Sequence, residues 1–535
     1  MLKKIRFYIA FSQAVIRRDR KNFALAITII LILLFALKVL IPALAPKALA
    51  ILQETQKPTF VEGVVGVPKH PNPLFDSNET EKDISKLVFR GLMKVDKDGN
   101  LVPDLAESYE EQKSKEYIFH LRKGVFWHDG QKFTSEDVVY TIKLAQDQNL
   151  QSRLAVNFKD VEVEKVDDYT VKFKLKESFA PFPFATTTGI LPEHISLKKY
   201  KPTGTGDFKI KGIDKDKITL TSDKLNLVFR FYQSFEDAKI ALKMGEIHGL
   251  GGFAPQDLEE IEKFGGKKIL THVLPSREAV VFFNTKAIFT KEKTLRQALA
   301  FAIDKEQIIK LAAGKTSIAS TNQLTLNNWA NNSKERYSYN LGQAKTLLKK
   351  AGFTFESGSW KRKDEKLNLV IKTIDDKELN TVANVLKSAW EDLGISTKVE
   401  VRGVDIIRKE AIDNRQFQIL INFQEIPVDP DQYVLWHSTQ VQNSNITGIR
   451  SPKLDKLLED ARKTSDTKGR KEQYQLFTTL LLDEAPAVFL YYPEYIWVVS
   501  DKVKNVDLED FYIPVDRFNS YRGWVIENGY KFLTK

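Results

Sequence analysis

The residues of this chain that could catalyse a reaction or hold a metal are seven histidines and scattered carboxylates, and their spacing supports neither role. His70, His120, His128, His194, His248, His272 and His437 form no HExxH motif and no pair at helical ligand spacing. Ala313-Gly314-Lys315-Thr316 ends like a phosphate-binding loop, but Ile309 stands where its first Gly belongs, so the cradle of backbone donors cannot form. It reads as a helix-ending Gly. Asp96-Lys97-Asp98-Gly99-Asn100 has its Gly at the fourth position instead of the sixth that a calcium loop needs, and reads as a hairpin turn. No G-x-S-x-G elbow occurs, and the pair Asp375-Asp376 is of a kind common on solvated surfaces. With no Cys, the chain has no disulfide, thiolate metal site or thiol nucleophile. The expectation is a protein that is no enzyme and uses no cofactor and no metal.

The elements that carry these residues alternate short β-branched runs with amphipathic helical stretches, which predicts a mixed α/β fold. Thr59 to Val67 reads as a first strand. Tyr117 to Leu121 and Tyr169 to Leu175 alternate with period two, as half-buried strands do. Thr134 is placed to cap a helix running through Val138, Ile142 and Leu144, with Asp137 completing a capping box. Further helices are expected over 81–92, 294–311, 342–351, 378–393 and 451–461, with strands over 367–373, 397–401 and 418–423.

A chain of 535 residues, 42% hydrophobic and 28% charged, can bury several cores. The net charge of +11 is concentrated at the N-terminus. Residues 1–50 hold nine Lys/Arg against Asp19 alone, a net +8, which leaves +3 for the other 485 residues and argues against a nucleic-acid partner. Phe23 to Leu44 is apolar except for Lys38 and Pro42, long enough to cross a hydrocarbon core of about 30 Å. The basic residues precede it, so the positive-inside rule puts residues 1–22 in the cytoplasm as a leader. Residues 23–45 are then an uncleaved transmembrane signal anchor, 46–57 a tether, and everything beyond is extracytoplasmic, periplasmic or on the cell surface.

Glu107 to Tyr140, ESYEEQKSKEYIFHLRKGVFWHDGQKFTSEDVVY, resembles the signature of the family-5 extracellular solute-binding proteins of ABC importers, the oligopeptide, dipeptide and nickel-binding group. Further matches follow in family order: Val166 to Val171, Gly204-Thr205-Gly206-Asp207-Phe208, Gly245-Glu246-Ile247, Phe283-Asn284-Thr285, Leu295 to Lys305, Asp429-Pro430-Asp431 and Ala485-Pro486. His128 and Asp129, within the signature, are read as serving the fold.

This resemblance implies two α/β lobes of the type II periplasmic-binding-protein kind that close on a ligand by hinge bending, with an extra subdomain and a chain that crosses the hinge twice. Mapped here, the solute-binding domain covers 58–535: lobe I takes 58–88, 203–289 and 496–535, the subdomain 89–202, and lobe II 290–495. The implied function is a monomeric receptor that captures peptides or similar small solutes and delivers them to ABC permease subunits. A tethered sensor, or a receptor for a nickel chelate or oligosaccharide, is the alternative within the family. An anchored hydrolase would need a converging catalytic set, which the sequence lacks.

In peptide-binding members an Asp three residues before the acidic-Pro pair captures the ligand's α-amino group. Counted from Asp429-Pro430, that position here is Ile426, with Glu425 beside it as a substitute. Phe423 stands where those members carry a cleft Trp. Asn78 lies near the family's backbone-contact segment, and Asp429 and Trp436 complete the candidate ligand-binding residues.

Overall fold

The computed structural model describes residues 20–35, 38, 57–68, 71–197, 202–331 and 334–527. The chain forms two units, Met1–Thr59 and Phe60–Lys535. In the first, a helix covers the 16 residues Arg20–Phe35, with Leu25, Ile29, Leu31, Ile32 and Phe35 exposed. At 1.5 Å per residue it is about 24 Å long. Among the described residues no helix is long and apolar enough to cross a membrane. Most of the expected leader, the remainder of the 23–45 span except Lys38, and the tether before Lys57 lie outside the described residues.

The second unit is built on two sheets. A seven-stranded sheet runs in the order Lys267–Val273, Glu494–Ser500, Gly249–Gly251, Thr59–Val65, Asn226–Tyr232, Lys217–Thr221, Lys209–Ile213. A six-stranded sheet runs Ile318–Ala319, Ala487–Tyr492, Arg277–Phe283, Ile419–Glu425, Asn368–Ile374, Ser396–Arg402. Period-two alternation covers both faces of each. In the second sheet, Ala279, Val281, Phe283 and Ile421 pack under the helices Lys293–Phe301 and Lys377–Asp392. Val280, Phe282 and Leu420 face the helices Pro452–Lys463 and Thr467–Glu484 on the other side.

The chain passes between the sheets at two prolines. Pro275 separates Lys267–Val273 from Arg277–Phe283, and Pro493 separates Ala487–Tyr492 from Glu494–Ser500. A residue without an N–H cannot extend a ladder, so each proline marks where a strand leaves one sheet for the other. The crossings touch: Leu274 N–H donates to Pro493 O at 2.8 Å. The strands fall into two α/β halves linked by these two crossings, whose positions differ from the boundaries mapped above. Arg277–Phe283, assigned above to lobe I through residue 289, is a central strand of the second sheet, and the return crossing falls at Pro493 instead of after 495.

Between the first strand and Lys209–Ile213, the chain adds a four-stranded antiparallel sheet and the helix Ser135–Gln146. The signature segment builds its frame. Thr134 N–H donates to Asp137 Oδ2 at 2.8 Å, completing the box, while Glu193 N–H donates to Asp137 Oδ1 at 2.9 Å. His128 Nε2 lies 2.9 Å from Gly206 O, and Gly204 N–H donates to His128 Nδ1 at 3.2 Å. The Gly-Thr-Gly motif is explained by contact, since a Cβ on Gly204 would lie 1.8 Å from Val88 O and one on Gly206 2.4 Å from Leu87 O. One predicted helix divides: 294–311 becomes Lys293–Phe301 and Lys305–Ala312, because Asp304 caps the second by accepting Gln307 N–H at 3.0 Å.

Candidate ligand-binding cleft

The helix Glu79–Val88 organises the junction between the halves. Asn78 caps it, its Oδ1 accepting Glu81 N–H at 2.9 Å, and Glu79 and Glu81 sit in the first turn, where the helix dipole favours negative charge. Its inner face buries Asp83, Ile84 and Val88. Its outer face carries Lys82 and Lys86 toward a cavity of about 710 Å³. The second half contributes Arg277 and Glu425 to the same cavity. A neighbouring cavity of about 570 Å³ shares Lys86, Phe89, Thr187 and Ile513 with it.

Arg277 opens its strand directly opposite Glu425 in the sheet register. Its Nε donates to Glu425 Oε1 at 2.6 Å, and its Nη2 lies 4.0 Å from Glu79 Oε2 on the helix of the first half. Desolvation works against the guanidinium, but the two carboxylates outweigh it and raise its pKa. Below this triad, Arg517 is buried between Glu62 and Asp83, with Nε to Glu62 Oε1 at 2.9 Å and Nη1 to Asp83 Oδ2 at 2.8 Å. Burial dominates these carboxyls, pushing Glu62 up to about 7 and Asp83 to about 6, with Arg517 pulling both back. Of this buried ionic core, Asp83 lines the 710 Å³ cavity, and all three residues line a separate cavity of about 360 Å³. Asp76, on the cavity wall, is pushed up to about 7 by burial.

Of the six residues expected to bind ligand, Asn78 and Glu425 line the 710 Å³ cavity. Phe423 is half-buried against the core of the second half, opposite Ala279. Ile426 is buried, and its N–H donates to Ser276 O at 2.8 Å. Asp429 is buried and accepts from Arg470 Nη2 at 2.9 and 3.0 Å, with that guanidinium over the rings of Trp329 and Tyr474. Trp436 is buried with its ring edge-on to Phe489 at 6.1 Å. These last four support the wall of the second half and do not line this cavity. Sequence reasoning missed Arg277, Lys86, Asp76 and the Glu62–Arg517–Asp83 core. The Lys82/Lys86 pair was visible at i, i+4, but on an amphipathic helix it has the same pattern as a solvated face.

Comparison with known proteins agrees with this geometry. The profile of the "Bacterial extracellular solute-binding proteins, family 5 Middle" matches residues 100–445. The oligopeptide-binding protein AppA of Bacillus subtilis is 27% identical over 500 residues, covering 87% of this chain and 91% of that one. Its structure in complex with a nonapeptide aligns with a TM-score of 0.71 over 88% of this chain and 99% of that one, at 25% identity. The ABC transporter substrate-binding protein CtaP of Listeria monocytogenes aligns with a TM-score of 0.78 at 26% identity, over 88% of this chain and 100% of that one. NikZ of Campylobacter jejuni in complex with Ni(L-His) aligns with a TM-score of 0.73 at 25% identity, over 87% and 99%. Two α/β halves joined by a double crossing, the ordered motifs and the profile match identify this chain as a member of family 5 of the bacterial extracellular solute-binding proteins.

Proposed function

We propose that this chain is the membrane-anchored receptor of an ABC importer, capturing peptides between its two halves outside the membrane and releasing them to a permease. The observation that carries this reading is the 710 Å³ cavity, lined from one half by Asn78 and Lys86 and from the other by Arg277 and Glu425. A ligand there contacts both sides of the hinge, so binding favours the closed form by its differential contacts. The volume is within the range of small-molecule sites. Its polar groups serve recognition and perform no chemistry, and the receptor acts as a monomer. The match to an oligopeptide-binding relative over 87% of this chain supports a peptide ligand. Among the described residues no His lines the cavity, which favours a peptide over a chelated metal held by imidazole.

The anchor is the apolar stretch 23–45, whose residues 23–35 belong to the helix Arg20–Phe35, with Leu25, Ile29, Leu31, Ile32 and Phe35 exposed. The experiment is native mass spectrometry of the full-length chain in mild detergent, challenged with a mixed di- to penta-peptide library. Retention of peptides supports the receptor reading; indifference to every peptide overturns the peptide specificity.

A further inference from the structure

The two halves also meet at a place that involves neither crossing. The added four-stranded sheet and its helix share one hydrophobic core with the first half, since Phe60 and Val64 pack in a single cluster with Tyr117, Phe173 and Phe182. The loop 176–181, between the strand Thr170–Leu175 and the helix Phe182–Ala185, therefore moves with the first half. It touches the second half at Arg462, in the last turn of Pro452–Lys463.

Both sides of this contact are fixed by their own half. Phe179 N–H donates to Ser114 O at 2.6 Å, and Phe179 O accepts Tyr117 O–H at 3.1 Å. Ser114 and Lys113 form a turn with left-handed φ of 50° and 53°, a conformation that costs residues other than glycine and persists where the surroundings enforce it. In the second half, Arg462 Nε donates to Asp431 Oδ2 at 2.8 Å, and the guanidinium lies 3.8 Å from the ring centroid of Tyr433. His437 stacks on that ring at 4.0 Å. The Asp429-Pro430-Asp431 motif, which follows the cleft strand Ile419–Glu425, thus grips two arginines, Arg470 and Arg462.

Between the halves, Ala180 N–H donates to Arg462 O at 2.7 Å. That carbonyl lies in the last helical turn, where the helix itself supplies no donor. The Arg462 guanidinium also lies over Phe179, 5.1 Å from its centroid, so one cation is shared by a ring from each half. Opening the halves gives up both contacts.

We propose that Arg462 and Phe179 are positioning residues that latch the halves together and favour the closed cleft through a contact outside the ligand cavity. Neither residue lines that cavity. The inference rests on the receptor reading and deepens it: the latch sets how much of the closure a ligand has to drive.

The chain has no Cys, so Val156→Cys beside the added sheet and Leu476→Cys on the second half, both exposed, supply a single spin-label pair. Double electron–electron resonance on the full-length chain in mild detergent reads the distance between the halves, without ligand and with the mixed di- to penta-peptide library. The variants are Arg462→Ala, Phe179→Leu and the two combined, each checked for folding by circular dichroism. Expected is a fall of about three- to ten-fold in the ratio of short- to long-distance populations for each single variant. The combined variant should fall no further, because the two side chains act as one contact. Unchanged ratios in both single variants would overturn the latch, and so would falls that simply add in the combined variant. A wild-type distribution confined to the longer distance, with and without the library, would overturn it as well. A wild type that ignores the library while its variants open would sink the peptide reading and keep the latch.

Discussion

Arg277 and Glu425 lie 148 residues apart in sequence and directly opposite each other at the ends of adjacent strands, with Arg277 Nε donating to Glu425 Oε1 at 2.6 Å. The pair changes what Glu425 offers a ligand. A carboxylate already neutralised by a guanidinium attracts an incoming ammonium weakly, and Arg277 also leans toward Glu79 across the junction.

Glu425→Gln is therefore expected to shift affinity for a free-amine peptide and for its N-acetylated counterpart alike, within about two-fold of each other, because an exposed pair of this kind is worth little. Calorimetry on the two ligands measures it. Selective loss of the free-amine peptide would return Glu425 to the role of ammonium partner.

Asp429→Ala strands Arg470 between Trp329 and Tyr474 with no counter-charge. Removing one partner of a buried pair costs about 3–5 kcal/mol. Denaturant unfolding should show that loss, and ligand affinity of the folded fraction should stay near wild type. A large affinity change without destabilisation would contradict the supporting role described here.

Gly204→Ala drives a methyl group into the Val88 carbonyl at the end of the helix that lines the cleft. Backbone on both sides leaves no flexible group to yield. The expected result is a lower melting temperature than that of Gly212→Ala, where a Cβ meets open space.

Glu378 is buried, accepts Tyr491 O–H at 2.8 Å and is pushed up to about 8, chiefly by burial. A carboxyl whose folded pKa lies above its unfolded value stabilises the protein fully below the unfolded value, near 4.5, and loses that contribution as pH rises through about 8. Glu378→Gln should flatten the fall in stability between those limits and make the protein more stable than wild type above pH 8. Unfolding free energies measured across this window check it; parallel curves for the two proteins would contradict the buried-acid account.

Anchoring by residues 23–45 predicts that the full-length chain stays with membranes after alkaline carbonate extraction and that a chain beginning at Pro58 is released. Release of both would overturn the anchor.

Local elements were legible because their causes are local. The Thr134–Asp137 box, the period-two strands Tyr117–Leu121 and Thr170–Leu175, and the helix ending near Leu393 follow from capping, side-chain alternation and amphipathic spacing within one or two turns. The ordered motifs also carried the family, and in this chain Gly204 and Gly206, His128 and Asp137 all serve contacts that hold the fold together. Partner choice was not legible. Alternation assigns Glu425 a face without naming Arg277 as its neighbour, and Asp429 looked like a ligand residue until Arg470 closed over it. The two prolines were visible, but only the strand order shows that they are the crossings between sheets. The cleft's charge is likewise a tertiary property: Coulomb energy depends on distance and desolvation, and both are set by how segments far apart in sequence come together.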